Sequence, residues 1–134
     1  MKKMTMANSE FVDLFNGLVA VQGLKGVKFG LLVAKNVRVI QEELDHLENA
    51  SRPSEEFMEL SVKINELMNN KDDEGIKALE SDNAKLIQDR KDQLVEIEKL
   101  MAEETSMNLF PITESCLPAD ITGEQIMNID KIIE

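Results

Sequence analysis

Between Val27 and Glu104 apolar residues return every three or four positions, a period that places them on one side of an α-helix. Phe29, Val33, Val37, Ile40, Leu44 and Leu47 form a first stripe, and Ile76, Leu79, Leu86, Leu94, Ile97 and Met101 form a last one. A shorter segment with Phe57, Leu60, Ile64 and Leu67 stands between them. Two long stripes joined through a short helix predict antiparallel helices closing on a common seam. The expected fold class is mainly α: a helical hairpin or bundle of long helices, with a minor two-stranded β ribbon joining the N- and C-terminal segments. Such a body offers shape and contact surface rather than a deep reaction pocket.

The flanking segments complete this plan. Met4-Thr5-Met6 is apolar at alternate positions, and Met107 to Ile112 alternates likewise with Pro111 at an edge, so the two stretches are expected to pair. Asn8 or Ser9 is expected to cap a first helix carrying Phe11, Leu14, Phe15 and Leu18, which Gly23 and Gly26 end. The second helix is expected over about residues 27–49, apolar almost all round in its first half and therefore buried on every side there. Gly30 inside it costs up to about 1 kcal/mol of propensity, which points to close packing against another backbone or to a start near Leu31. Ser54, followed by Glu55 and Glu56, caps a new helix.

After a polar turn over 69–75, one helix is expected from Ile76 to Glu104, roughly 40 Å long at 1.5 Å per residue. Asn83 and Arg90 interrupt its stripe, and a polar residue at a seam position can fix register or oligomeric state. Thr122 and Gln125 match a capping box for a short closing helix with Ile126, Ile129, Ile132 and Ile133. The expected organisation is a single domain over 1–134: strand and helix (1–26), helical body (27–104), strand and short helix (105–134).

Charge separates along the chain, whose formal net charge is −11. Residues 1–38 hold six basic and two acidic side chains (+4), residues 39–104 eight and nineteen (−11), and residues 105–134 one and five (−4). An acidic body repels a phosphate backbone, so direct nucleic-acid binding is not expected unless Lys2, Lys3, Lys25, Lys28, Lys35 and Arg38 gather on one face. Cys116 alone cannot form an internal disulfide and reads as a small core residue. No run has the form of a signal peptide or the length of a membrane span, so a soluble intracellular protein without membrane contact is expected. Eight methionines suit either a core or an adaptable contact face.

Catalysis is not expected, nor is any cofactor or metal. A nucleophile needs a base beside it, and the one histidine, His46, lies in the acidic run Glu42-Glu43-Leu44-Asp45-His46. A structural zinc site gathers four Cys or His ligands, and the chain has two such residues in total. Glu43-Leu-Asp-His46 matches the Glu-x-x-His element of di-metal bundles once, where two are needed. Asp72-Asp73-Glu74-Gly75 is followed by Lys77, Ala78 and Leu79 where a calcium loop needs ligands. Gly23-Leu-Lys-Gly26 lacks the spacing of a phosphate-binding loop.

The order of parts carries a resemblance. Asn8-Ser9-Glu10 before Leu14-Phe15-Asn16-Gly17-Leu18, then Val27-Lys28-Phe29 leading into the run Val33 to Leu44, and a tail with Gln125-Ile126-Met127 and Ile132-Ile133-Glu134, resembles a group of small uncharacterised proteins of tailed bacteriophages and prophages. The strongest piece is Ala34-Lys35-Asn36 followed by the Glu-rich helix. The resemblance implies a viral origin, expression in the cytoplasm of a bacterial host, and no known catalysis. Lys35, Asn36 and Arg38 are candidates for a shared feature, either a polar patch poised for a partner or an anchor for the amino-terminal helix.

The functional expectation is a non-catalytic phage protein that acts through protein contacts, as a self-associating structural or assembly component of tail or head, located in the host cytoplasm with the virion as the alternative. The alternative is an inhibitor of a host factor or defence system, working by acidic mimicry of DNA or by sequestering an anionic ligand. Candidate partner-binding residues are Lys25, Lys28, Lys35, Asn36, Arg38, Glu42, Glu43 and Asp45.

Overall fold

The computed structural model describes residues 1–134. The elements are β1 (Lys2–Ala7), α1 (Asn8–Val21), α2 (Val27–Ser51), α3 (Glu55–Asn69), α4 (Asp73–Asp82), α5 (Ala84–Ala102), β2 (Glu104–Leu109) and α6 (Gly123–Ile129). Single 3₁₀ turns follow at Glu114–Cys116 and Asp130–Ile132. The architecture is mainly α with a two-stranded ribbon. The chain divides into two compact units, residues 1–46 with 100–134 and residues 47–99, and α2 and α5 each run from one into the other.

In the first unit β1 and β2 pair antiparallel, from Lys2 opposite Leu109 to Ala7 opposite Glu104. Met107 and Leu109 are buried while Ser106 and Asn108 are exposed, the alternation that a half-buried strand requires. The second strand therefore begins earlier than its apolar pattern suggested. Thr5 and Ser106 share a hydroxyl hydrogen bond of 2.6 Å across the ribbon, which carries the pairing into the polar stretch. Beyond Pro111, Ile112 bridges Ile133 in parallel, with Ile112 N donating to Ile132 O at 2.9 Å and Glu134 N to Ile112 O at 2.8 Å. The core is built from Phe11, Leu14, Leu18 and Val21 of α1, Phe29, Val33 and Ile40 of α2, Leu109, and Ile112, Ile129 and Ile132. Fully burying each such side chain stabilises by about 1.5–3 kcal/mol.

Three local expectations are corrected here. Ala7, not Asn8 or Ser9, is the N-cap of α1, and Glu10 Oε2 accepts from Ala7 N at 3.2 Å. Asn8 instead closes the far end of α5: its Nδ2 donates to Leu100 O (2.7 Å), its backbone N to Glu103 O (2.9 Å), and its Oδ1 accepts from Thr105 (2.6 Å). The close helix approach belongs to Gly17, where an added Cβ would lie 2.7 Å from Asn128 O, whereas nothing lies within 4 Å of one at Gly30. The first half of α2 is not buried all round. Phe29, Val33 and Ile40 face the core, but Val27 is 83% and Leu31 57% exposed on the opposite side.

In the second unit Ser54 caps α3 as expected, accepting from Phe57 N at 3.1 Å. The single helix expected from Ile76 is two helices. Asp72 caps α4 by accepting from Gly75 N (3.0 Å), so helix begins inside the stretch read as a turn. α4 ends at Asn83, whose backbone leaves the helical region (φ −116°, ψ 26°) while its backbone N and Nδ2 both donate to Leu79 O (3.1 and 2.9 Å). Arg90 stands on the half-buried stripe with Leu86 and Ile97, as expected, and its guanidinium lies over the Phe57 ring, 5.9 Å from the centroid. It donates to Ser51 O (2.9 Å) while Gln93 donates to Ala50 O (2.7 Å) and Arg52 O (3.0 Å), so the two side chains of α5 satisfy the otherwise unpartnered carbonyls at the end of α2. No helix is long and apolar enough to cross a membrane.

Candidate protein-contact surfaces

The residues singled out from the sequence fall on α2 and the turn before it, and the helix sorts them. Lys28, Lys35, Arg38, Glu42 and Asp45 recur with Leu31 at steps of three and four, which sets them along one stripe, and all six are exposed. The stripe runs from basic and apolar at the start of the helix to acidic further on. Lys25 is exposed in the turn, which Gly26 makes with a φ of +127°, and Glu43 is exposed to one side of the stripe. Lys35 lies over the Phe110 ring, 5.2 Å from its centroid.

Asn36 departs from its neighbours. It is fully buried, with Nδ2 donating to Phe110 O at 2.8 Å and Oδ1 accepting from Phe110 N at 2.7 Å. As a contact residue for a partner it is corrected, because its side chain is buried and both of its polar atoms bond the Phe110 backbone. Its tie is to the chain just beyond β2 and not to the amino-terminal helix.

The charge order of α2 runs against its own dipole. The first turn has no acidic residue and holds Lys28, and the last turn has no basic residue. Either choice forgoes about 0.3–1 kcal/mol that the opposite charges would contribute. A stripe arranged this way is better explained by what it meets than by helix stability.

Two surfaces were not legible from the sequence. The first is an open groove of about 460 Å³ between α1 and α6, lined among others by Asp13, Gly17, Ala20, Met127 and Asp130. Glu10 bridges it at one end, pairing with Lys131 at 3.2 Å, and this pairing together with the Ala7 N–H holds the Glu10 carboxyl below its usual value. The second is the apolar surface of the second unit, where Met58, Val62, Met68, Leu94 and Val95 are exposed and only Leu47 and Leu60 are buried. The stripe residues Phe57, Ile64, Leu67, Ile76, Leu86 and Ile97 are half-buried.

No group of three or more His, Cys, Asp or Glu side chains is placed to hold a metal ion. Cys116 is half-buried, and a hydrogen bond from the Thr113 hydroxyl, 3.0 Å away, holds its thiol below the usual range. No known protein family, curated protein or solved structure matches this chain.

Proposed function

We propose that this is a non-catalytic protein of bacteriophage origin that self-associates as a structural or assembly component of head or tail. The observation that carries the self-association is the thin core of the second unit. Its 53 residues, 47–99, bury two apolar side chains while Val62 stays 58% exposed and the stripes around it are half covered. Helices ordered at an entropic cost of about 1–2 kcal/mol per residue need more apolar burial than that, and a second chain packed on the same stripes supplies it. The phage assignment rests on the sequence resemblance, and the bacterial cytoplasm and virion follow from it as proposals.

Inhibition of a host factor by mimicry of DNA has less support. Residues 47–99 carry fourteen acidic side chains, but eight basic ones are interspersed (net −6), and some pair locally, as Lys99 does with Glu96 at 3.5 Å.

Light scattering of the purified protein at high salt tests the reading. The expected mass at high salt is a multiple of the 15.1 kDa chain, since apolar burial is not screened. A monomer under those conditions overturns it.

A further inference from the structure

The first unit carries two exposed surfaces of opposite character, and each is suited to the other on a neighbouring chain. On α2, Val27 and Leu31 form an apolar spot one helical turn long, flanked by Lys28, Lys35 and Arg38. The groove between α1 and α6 is lined by Met127, which is 74% exposed, by exposed Ala20, by buried Leu14 and Gly17, and by carboxylates. Lys131 already neutralises Glu10 among these, so the charge offered to an incoming surface comes from Asp13 and Asp130. The groove is also preformed. Gly17 lets α1 and α6 approach so closely that an added Cβ would strike the Asn128 backbone, which leaves little room for the walls to collapse together.

Building on the self-association proposed above, we propose that the amino-terminal half of α2 from one chain seats in the α1–α6 groove of a second copy. Val27 and Leu31 meet Met127 and Ala20, and Lys28 and Lys35 meet Asp13 and Asp130. Charge complementarity selects a second copy as the occupant: the groove needs a basic and apolar helical face, and this chain displays one. It also explains why the start of α2 is basic against the preference of its dipole.

The two surfaces are different, so the contact is heterologous. Each chain that uses its α2 face still offers its groove, and the contact propagates into a ring or a filament. A patch of this size is weak for one pair and gains by repetition. Because its rim is exposed and charged, it is sensitive to salt, unlike the apolar seams of the second unit.

The experiment is the solution mass of the full chain as a function of concentration at low salt, for the wild type, K28E/K35E and D13K/D130K. The wild type is expected to grow above its high-salt mass, and each double variant to remain at that mass with an unchanged circular dichroism spectrum. Mixed one to one, the two variants are expected to grow again, since each then supplies the charge that the other's surface requires. As a check independent of any variant, carbodiimide coupling of the wild type is expected to join Lys28 or Lys35 of one chain to Asp13 or Asp130 of another.

Growth that persists in both variants, or a wild type that does not grow at low salt, overturns the interface even when the high-salt mass is oligomeric. A high-salt monomer that grows at low salt overturns the apolar seams and leaves this interface standing.

Discussion

The side-chain amide of Asn36 bonds both backbone groups of Phe110, donating at 2.8 Å and accepting at 2.7 Å, so a helix residue takes the place of a third strand beside the end of the ribbon. Removing it leaves two polar groups of Phe110 without that partner, at about 1–3 kcal/mol. Asn36→Ala is therefore expected to lower the stability by that amount in urea unfolding. Asn36→Asp is expected to cost more, because it keeps the acceptor, loses the donor and buries a charge. Equal stabilities for Asn36→Asp and the wild type would show the two hydrogen bonds to Phe110 to be unimportant.

Gly17 and Gly30 are expected to respond to alanine with opposite signs. At Gly17 the new Cβ meets the Asn128 carbonyl at 2.7 Å, and the helices must part, at a cost of about 1–3 kcal/mol. At Gly30 the Cβ meets nothing within 4 Å, and the lower entropy of the unfolded chain stabilises by about 0.4–1 kcal/mol. Thermal melts of the two single variants read the difference directly.

Arg90 and Gln93 act on the end of α2 as a coupled pair. Arg90 donates to Gln93 Oε1 at 2.8 Å while both donate to carbonyls between Ala50 and Arg52, so removing either side chain also releases the other. A double-mutant cycle with Arg90→Met and Gln93→Ala is expected to show an interaction energy of about 0.5–3 kcal/mol. Simple additivity would mean that each caps the helix alone.

The ion pair between Glu10 and Lys131 links α1 to the 3₁₀ turn after α6. The Glu10 carboxyl sits below its usual value, first through the Lys131 hydrogen bond and then through the Ala7 N–H. Its contribution to stability is accordingly complete above the ordinary glutamate range and is lost as pH falls through the lowered folded value. Comparing melting temperatures of the wild type and Glu10→Gln across pH, the wild-type advantage is expected at neutral pH and to vanish in acid. An advantage that instead grows in acid would contradict the assignment.

Helical class, the stripe of α1, the caps at Ser54 and Thr122 and the pairing of the two terminal strands followed from the sequence alone, because each depends on neighbours within a few positions or on a period of two or 3.6. The charged residues of α2 were legible one by one, but not the exposed stripe they form with Leu31, because the first half of that helix was expected to be buried on every side. Tertiary structure decided the rest. Asn8 and Asn36 look like ordinary polar helix residues until chain distant in sequence brings the carbonyls of Leu100 and Phe110 within reach. Gly17 and Gly30 are indistinguishable as letters, and only the approach of α6 makes one of them necessary. The break at Asn83 was hidden because the apolar period runs on through it, while one residue whose backbone leaves the helical region is enough to end a helix. An apolar stripe shows which side of a helix seeks burial, but whether its own chain covers that side, as over α1, or covers it only in part, as at Ile64 and Leu86, depends on contacts no local pattern encodes.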